Sequence, residues 1–293
     1  YDPTLYSYEY ITQMYNVINS LIEQIIVNPD IKVKELQFCT KKDEEKIKIC
    51  FNATEYDFGT GDRTIIDFFE EAAERYPERT AVVFENKSVT YREFNQKVNI
   101  LAHKLRKLGI TRKSIVAVNM DRSDLMLAGV FAIIKAGGAY MPVSTAFPQH
   151  RIEYMLNDSN AQVLFYEGNI SKPEIENKDI VMLDLSDSTV WKGQEDDEKN
   201  LEHISTPEDP VYVIYTSGTT GNPKGVVNVH KGLLNRILWM NRRYPISKED
   251  IILQKTVFTF DVSVWEIFWW SMFGATVVLP MQGDEKEPVL IAE

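Results

Sequence analysis

Val211-Tyr212-Val213-Ile214-Tyr215-Thr216-Ser217-Gly218-Thr219-Thr220-Gly221-Asn222-Pro223-Lys224-Gly225-Val226-Val227-Asn228-Val229 is the stretch from which the fold is read. Residues 211–215 form a run of β-branched and aromatic residues, the pattern of a buried strand. Residues 226–229 resume as a strand, and 231–243 have helical spacing. The loop between the strands holds Gly218, Gly221 and Gly225, which let a backbone approach a ligand closely. Successive N–H groups in such a loop can form an anion-binding concavity. Thr216, Ser217, Thr219 and Thr220 add hydroxyl donors, and Lys224 adds one mobile positive charge. These groups together have the chemistry of a polyphosphate cradle. The loop is not a Walker A loop. The fifth residue after Gly218 is Pro223, Lys224 is followed by Gly225, and Pro223 opposes a helix starting over the phosphates. The bland alternative is a flexible Gly/Ser/Thr loop with a solvated lysine.

Upstream, helices and strands alternate. Thr64 can cap a helix in which Ile65, Phe68, Phe69, Ala72, Ala73 and Tyr76 recur at helical spacing, and Pro77 stops it. A short strand at 81–84 follows, then a turn at Asn86-Lys87. Tyr91, Phe94, Val98, Leu101, Leu105 and Leu108 mark the next helix, closed by Gly109. Residues 115–118, 139–143, 162–166 and 180–185 are strand-like, with helices predicted over 125–136 and around 151–156. This rhythm predicts an α/β fold with a largely parallel sheet. Residues 187–209 read as a polar, acidic surface excursion.

Nearer the N-terminus, Ile11, Met14, Ile18, Leu21, Ile22 and Ile25 share a helical face over 8–27. An apolar-alternating stretch over 31–38 and a charged helix face over 41–48 come next. Residues 52–62 carry Gly59 and Gly61 without periodicity and read as a connection into a new domain. The chain starts at Tyr1, and 288–293 follow a helix-like pattern with no cap, so an excerpt of a longer polypeptide is expected.

A net charge of −11 without a basic stripe opposes nucleic-acid binding. No apolar run approaches the roughly 18 residues of a membrane span. Cys39 and Cys50 fit neither a zinc motif nor a disulfide framework, so a cytoplasmic setting is expected.

Phe260-Asp261-Val262-Ser263-Val264-Trp265-Glu266 sets one carboxylate in an aromatic stretch continued by Phe268, Trp269 and Trp270. An α-amino acid presents an ammonium group, and a desolvated ammonium–carboxylate pair is strong and selective. Asp261 could instead cap the helix starting near Ser263, and both roles are compatible.

The sequence 215–225 resembles the signature of the adenylate-forming enzymes, which include acyl-CoA ligases, luciferases and peptide-synthetase adenylation domains. Val89-Thr90-Tyr91-Arg92-Glu93-Phe94-Asn95 is similar to that family's first core motif. Ile134-Lys135-Ala136-Gly137-Gly138-Ala139-Tyr140-Met141-Pro142-Val143 is similar to the second, in its peptide-synthetase form. Ser144-Thr145 departs from the Asp-Pro usual there. Residues 260–266 resemble the motif that begins the amino-acid pocket, and 1–38 resemble the end of a condensation domain.

The resemblance implies a condensation-domain tail over 1–40, a linker over 41–62, and the N-terminal part of a nonribosomal peptide synthetase adenylation domain over 63–293. It implies ATP and Mg²⁺, an amino-acid substrate, and neighbouring condensation and carrier domains, the latter bearing phosphopantetheine. Thr216, Ser217, Gly218, Thr219, Thr220, Gly221 and Lys224 would hold the phosphates, with Lys224 and Thr216 serving the catalytic step. Phe260 would wall the adenylate, Asp261 would bind the α-ammonium, and Val262 and Trp265 would line the side-chain pocket. Asp-Val-Trp at these places resembles serine-activating domains, though Trp265 also suits pockets for threonine and leucine. The family's later motifs, including the ribose-binding Asp, the hinge and the C-terminal lysine, are not in this sequence, so 1–293 alone is expected to be inactive. The competing readings are an acyl- or aryl-CoA ligase of the same superfamily, against which Asp261 argues, and a non-catalytic truncated module.

Overall fold

A computed structural model describes residues 1–168, 170, 172–217, 222–281 and 283–284. The chain divides into two compact units, Tyr1–Phe58 and Gly59–Glu293.

In the first unit, α1 (Tyr8–Val27) starts at Ser7, whose hydroxyl accepts from Tyr10 N at 3.1 Å. The stretch 31–38 is not a strand; it contains a 3₁₀ turn, Val33–Glu35. The Gln24 amide imposes this by clamping Gln37. Its Nε2 donates to Gln37 O at 3.0 Å, and its Oε1 accepts from Gln37 N at 2.8 Å. α2 (Lys41–Glu45) is capped by Thr40 and runs into a π turn, Lys46–Cys50.

The second unit opens with α3 (Ile65–Arg75), started by a reciprocal Thr64–Asp67 capping box. Its further elements are β1 (Thr80–Phe84), β2 (Lys87–Thr90), α4 (Tyr91–Lys107), β3 (Ile115–Asn119), α5 (Asp124–Lys135) and β4 (Ala139–Pro142). Then come α6 (Gln149–Ser159), β5 (Val163–Tyr166), β6 (Val181–Asp184), β7 (Pro210–Thr216) and β8 (Lys224–Val229). α7 (His230–Arg243), β9 (Ile251–Leu253), α8 (Ser263–Phe273) and β10 (Thr276–Leu279) complete it. The fold is α/β, as expected. One sheet has the order β6-β5-β3-β4-β7-β8, parallel except for the β7–β8 pair. The other has the order β2-β1-β10-β9, with β2 alone antiparallel.

Side-chain alternation along β3 serves two cores. Val116 and Val118 join the larger one, and Ala117 joins the smaller one with Ile152, Met155 and Leu156 of α6. The larger core holds residues of both sheets around an aromatic cluster. Phe131 of α5 is its hub, with ring centroids 4.9 Å from Phe69, 5.5 Å from Phe94, 5.4 Å from Phe268 and 5.8 Å from Trp270. The helices α3, α4, α5 and α8 therefore share one aromatic seam. Tyr91 ties it to the backbone, its hydroxyl donating to Ala275 O at 2.6 Å.

At the end of α5, buried Lys135 lies 2.6 Å from Glu70 and donates to Asn95 and Asn99 at 2.7 and 2.5 Å. Burial pushes its ammonium down to about 8. His203 bridges Asp67 and Glu70 at 2.9 Å each, and those carboxylates push the imidazole up to about 9. His203 thereby ties the 187–209 segment to α3, and Lys135, which also donates to Asn200 at 3.1 Å, ties it to α3 and α4. That segment runs over the surface, as expected, but is tied down: Val190 is buried, and Glu198 O accepts from Asn99 at 2.7 Å. The Gly137-Gly138 pair has a physical requirement at Gly137, where φ is +98° and a Cβ would meet Ile204 at 2.7 Å.

The parallel strands β3, β4 and β7 end on one edge of the six-stranded sheet. Open α/β sheets hold ligands at such carboxyl edges.

Candidate active site

A cleft of about 690 Å³ opens at the end of β7. Tyr212, Ile214 and Thr216 alternate onto its β7 wall, and Ser217 continues it. Val226 and Asn228 supply the β8 wall. Lys224 is two residues before Val226 and pairs in register with Thr216, so it shares their face of β8 at the cleft mouth. Its side chain is exposed and is not a lining group. Thr259, Phe260 and Asp261 close the opposite side. The predicted phosphate residues Thr216 and Ser217 thus meet the predicted adenylate wall Phe260 and the predicted ammonium-binding Asp261 in one cavity.

Gly218, Thr219, Thr220 and Gly221 lie outside the described residues. Gly225 has a role different from ligand approach: a Cβ there would sit 3.0 Å from the Tyr215 ring. Its missing side chain makes room for Tyr215, whose hydroxyl donates to Asp158 at 2.6 Å.

The Asp261 carboxylate is exposed and makes no hydrogen bond or ion pair among the described residues. It does not cap α8. Val262 occupies the cap position, and only the Asp261 backbone carbonyl is engaged, by Val264 N at 3.1 Å. The carboxylate is therefore available to a ligand. Burial, and then the Asp261 charge, raise the Tyr212 phenol above its ordinary range. Phe260 is 63% exposed, presenting a bare aromatic face at the rim. Val262 is also exposed, and Trp265 packs on Trp269 at 5.8 Å between ring centroids. Neither Val262 nor Trp265 is among the groups lining this cleft.

Several site residues carry no sequence signal of their own. Arg151 stacks its guanidinium 4.0 Å over Phe147 on the cleft wall. At the root of the 254–261 segment, Arg122 and Glu266 are buried and are linked through the buried Gln254 side chain. Glu266 stands inside the quoted 260–266 motif, and its isolation among apolar residues of α8 is the one available clue. The Ser144-Thr145 departure has a local consequence: Thr145 Oγ1 donates to Asp121 at 2.7 Å. These two residues line a small cavity of about 40 Å³ with Arg122, Gln254 and Phe258.

Among the described residues no group of three or more His, Cys, Asp or Glu side chains could hold a metal ion. No helix there is long and apolar enough to cross a membrane.

The family model described as "AMP-binding enzyme" matches residues 69–293. A mycosubtilin synthase polypeptide of Bacillus subtilis is 40% identical over the whole chain, which spans 11% of that protein. Zwittermicin A synthase ZmaJ of Bacillus cereus is 46% identical over 77% of the chain and 42% of its own length. The chain thus covers well under two thirds of these relatives. Among solved structures, the nonribosomal peptide synthetase FmoA3 matches 98% of the chain and 30% of its own, at 26% identity and a TM-score of 0.84. The same protein bound to α-methyl-L-serine-AMP matches with a TM-score of 0.82.

Proposed function

Because the chain belongs to the AMP-binding enzyme family, we propose that its cleft is the adenylation site of a nonribosomal peptide synthetase, activating an α-amino acid with ATP. The observation that carries this reading is the meeting of Thr216 and Ser217 with Phe260 and Asp261 around one cavity. An acid without an ammonium group has no use for the unengaged Asp261 carboxylate.

In this proposal one carboxylate oxygen of the amino acid attacks the α-phosphorus of ATP. The bond to the bridging oxygen breaks, pyrophosphate leaves, and an aminoacyl adenylate forms. A carrier phosphopantetheine thiol then attacks the acyl carbon, giving a thioester and AMP. The protein contributes positioning and charge stabilisation. The segment Thr216 to Lys224 is assigned to the phosphates, with Thr216 and Lys224 serving the catalytic step. Phe260 walls the adenylate and Asp261 anchors the α-ammonium; Val262 and Trp265 are assigned to the amino-acid side chain by their place in the 260–266 motif, although neither lines the cleft. Mg²⁺ would come with ATP and share the charge of its phosphates.

Residues 1–40 are proposed as the end of a condensation domain, 41–62 as a linker and 63–293 as the adenylation part. Similarity to a synthetase along the whole chain and the division after Phe58 support this arrangement. Condensation and carrier domains of the same polypeptide are the proposed partners, in a cytoplasmic setting. Residues 1–293 alone are proposed to be inactive, because the ribose-binding Asp, the hinge and the C-terminal lysine that the resemblance implies are not among them.

The proposed substrate is serine or another small amino acid. The support is FmoA3, solved with α-methyl-L-serine-AMP bound, and the resemblance of Asp261, Val262 and Trp265 to serine-activating domains; Trp265 itself packs on Trp269 and lies off the cleft wall. ATP–pyrophosphate exchange by the complete adenylation domain across the twenty amino acids tests this. The highest rate is expected with serine; an aromatic or charged amino acid in first place would overturn the small-substrate assignment.

A further inference from the structure

The buried groups behind the 257–261 loop have a geometry that goes beyond packing. Gln254 follows β9 and is fully buried; its N–H donates to Val278 O at 3.0 Å, extending the sheet by one bond. Its side chain is used at both ends. Oε1 accepts from Arg122 Nε at 2.7 Å, and Nε2 donates to Thr256 O at 2.6 Å and Glu266 Oε2 at 3.2 Å. Arg122 Nη2 also donates to Lys255 O at 2.7 Å. Glu266, 4% exposed, accepts Thr256 N at 2.8 Å on Oε2 and Thr256 Oγ1 at 2.7 Å on Oε1.

A buried carboxylate is expensive unless its oxygens are satisfied. Here both oxygens are satisfied by donors of the segment at 254–256. An apolar residue could fill the same volume without the desolvation penalty. A carboxylate here instead fixes the direction of Thr256 N–H and Oγ1, and so the exit of the chain into the loop. The other end of the loop is fixed from the same helix. Ser263 Oγ donates to Phe260 O at 2.6 Å, and Phe260 N donates to Val257 O at 3.0 Å. Ser263 and Glu266 are one helical turn apart on α8, so both loop ends are held by adjacent positions of one rigid element. What is left between the anchors is the tip that carries Phe260 and Asp261 to the cleft.

We propose that Arg122, Gln254 and Glu266 form a positioning network that sets where Asp261 presents its carboxylate to the substrate ammonium. The proposal rests on the adenylation reading given above. None of the three touches the reacting atoms; they act through the loop. A site held to within about half an ångström needs such a supporting shell.

Glu266→Gln in the complete adenylation domain tests it, beside Asp261→Asn as reference. Glutamine keeps the volume but turns an amide donor or a weaker acceptor towards Thr256. The readout is kcat and KM for the amino acid with the highest exchange rate, for its 2-hydroxy counterpart and for ATP, with Tm. For Glu266→Gln, the amino-acid KM is expected to rise about tenfold and the amino-over-hydroxy preference to shrink by a similar factor. The ATP KM is expected to stay within about twofold. Thr256→Val, which removes only one bond to Glu266, should give a smaller change in the same direction and serves if Glu266→Gln does not fold. An unchanged preference in both variants, with Asp261→Asn losing it, would overturn the network's role while the adenylation reading stands. A fall in Tm with both KM values raised alike would assign the network to stability and overturn it too. A preference indifferent to Asp261→Asn itself would remove both proposals.

Discussion

Asp261→Asn in the complete adenylation domain lowers kcat/KM for the preferred amino acid by about a hundredfold, the scale expected when one partner of a desolvated charge pair is neutralised. The substitution keeps the shape of the side chain, and the Asp261 carboxylate supports no cap and no ion pair among the described residues. Folding stability should therefore change little, and the loss should fall on substrate recognition. It should appear with amino acids and nearly vanish with the 2-hydroxy analogue, which has no ammonium to lose. ATP–pyrophosphate exchange with both substrates separates these effects. A loss of less than about threefold with the amino acid would place the ammonium elsewhere.

The largest expected effect on stability is at Phe131. Phe131→Ala removes a fully buried ring that touches aromatic residues of α3, α4 and α8. The transfer and cavity contributions together amount to about 3–5 kcal/mol for such a truncation. Collapse around the gap is limited, because Phe69, Phe94, Phe268 and Trp270 sit on three helices that are already packed against one another. With a typical domain stability of about 5–15 kcal/mol, a loss of this size removes a large part of the whole. Denaturant unfolding should show a marked fall in midpoint at unchanged slope. A change under about 1 kcal/mol would mean that the ring is not the hub of the core.

The elements that carry strong periodicity are legible in the sequence. The helix with Phe94, Val98, Leu101 and Leu105 on one face is α4, and the run Val211 to Tyr215 lies within β7. The stretch 31–38 shows why local pattern fails. Its alternation suggests a strand, but no partner strand pairs with it in the described structure, and the Gln24 amide satisfies the Gln37 backbone instead. Acidity in 187–209 marks its surface path, but not that its backbone carbonyls serve α4 or that Val190 packs inward. A carbonyl acceptor has no signature in side-chain composition.

At the site, Asp261 is legible because a lone carboxylate in an aromatic run needs an explanation. Its freedom from capping is not, since that depends on where α8 starts. The Arg122–Gln254 contact joins residues 132 positions apart and is invisible to any local pattern. The loop around Gly225 suggests a ligand role for it, while its actual neighbour is Tyr215, set by the β7–β8 register. Sequence therefore exposes the residues whose chemistry is anomalous and hides those whose importance comes from partners distant in the chain.

The most direct test of the account is a crystal structure of the complete adenylation domain bound to a non-hydrolysable seryl-adenylate analogue. The predicted result is the analogue seated in the β7–β8 cleft. Its α-ammonium should lie about 3 Å from an Asp261 carboxylate oxygen, the distance of a charge-assisted hydrogen bond, and its phosphate mimic against Thr216 and Ser217. An analogue bound with its ammonium turned away from Asp261, or outside this cleft, would contradict the central claim.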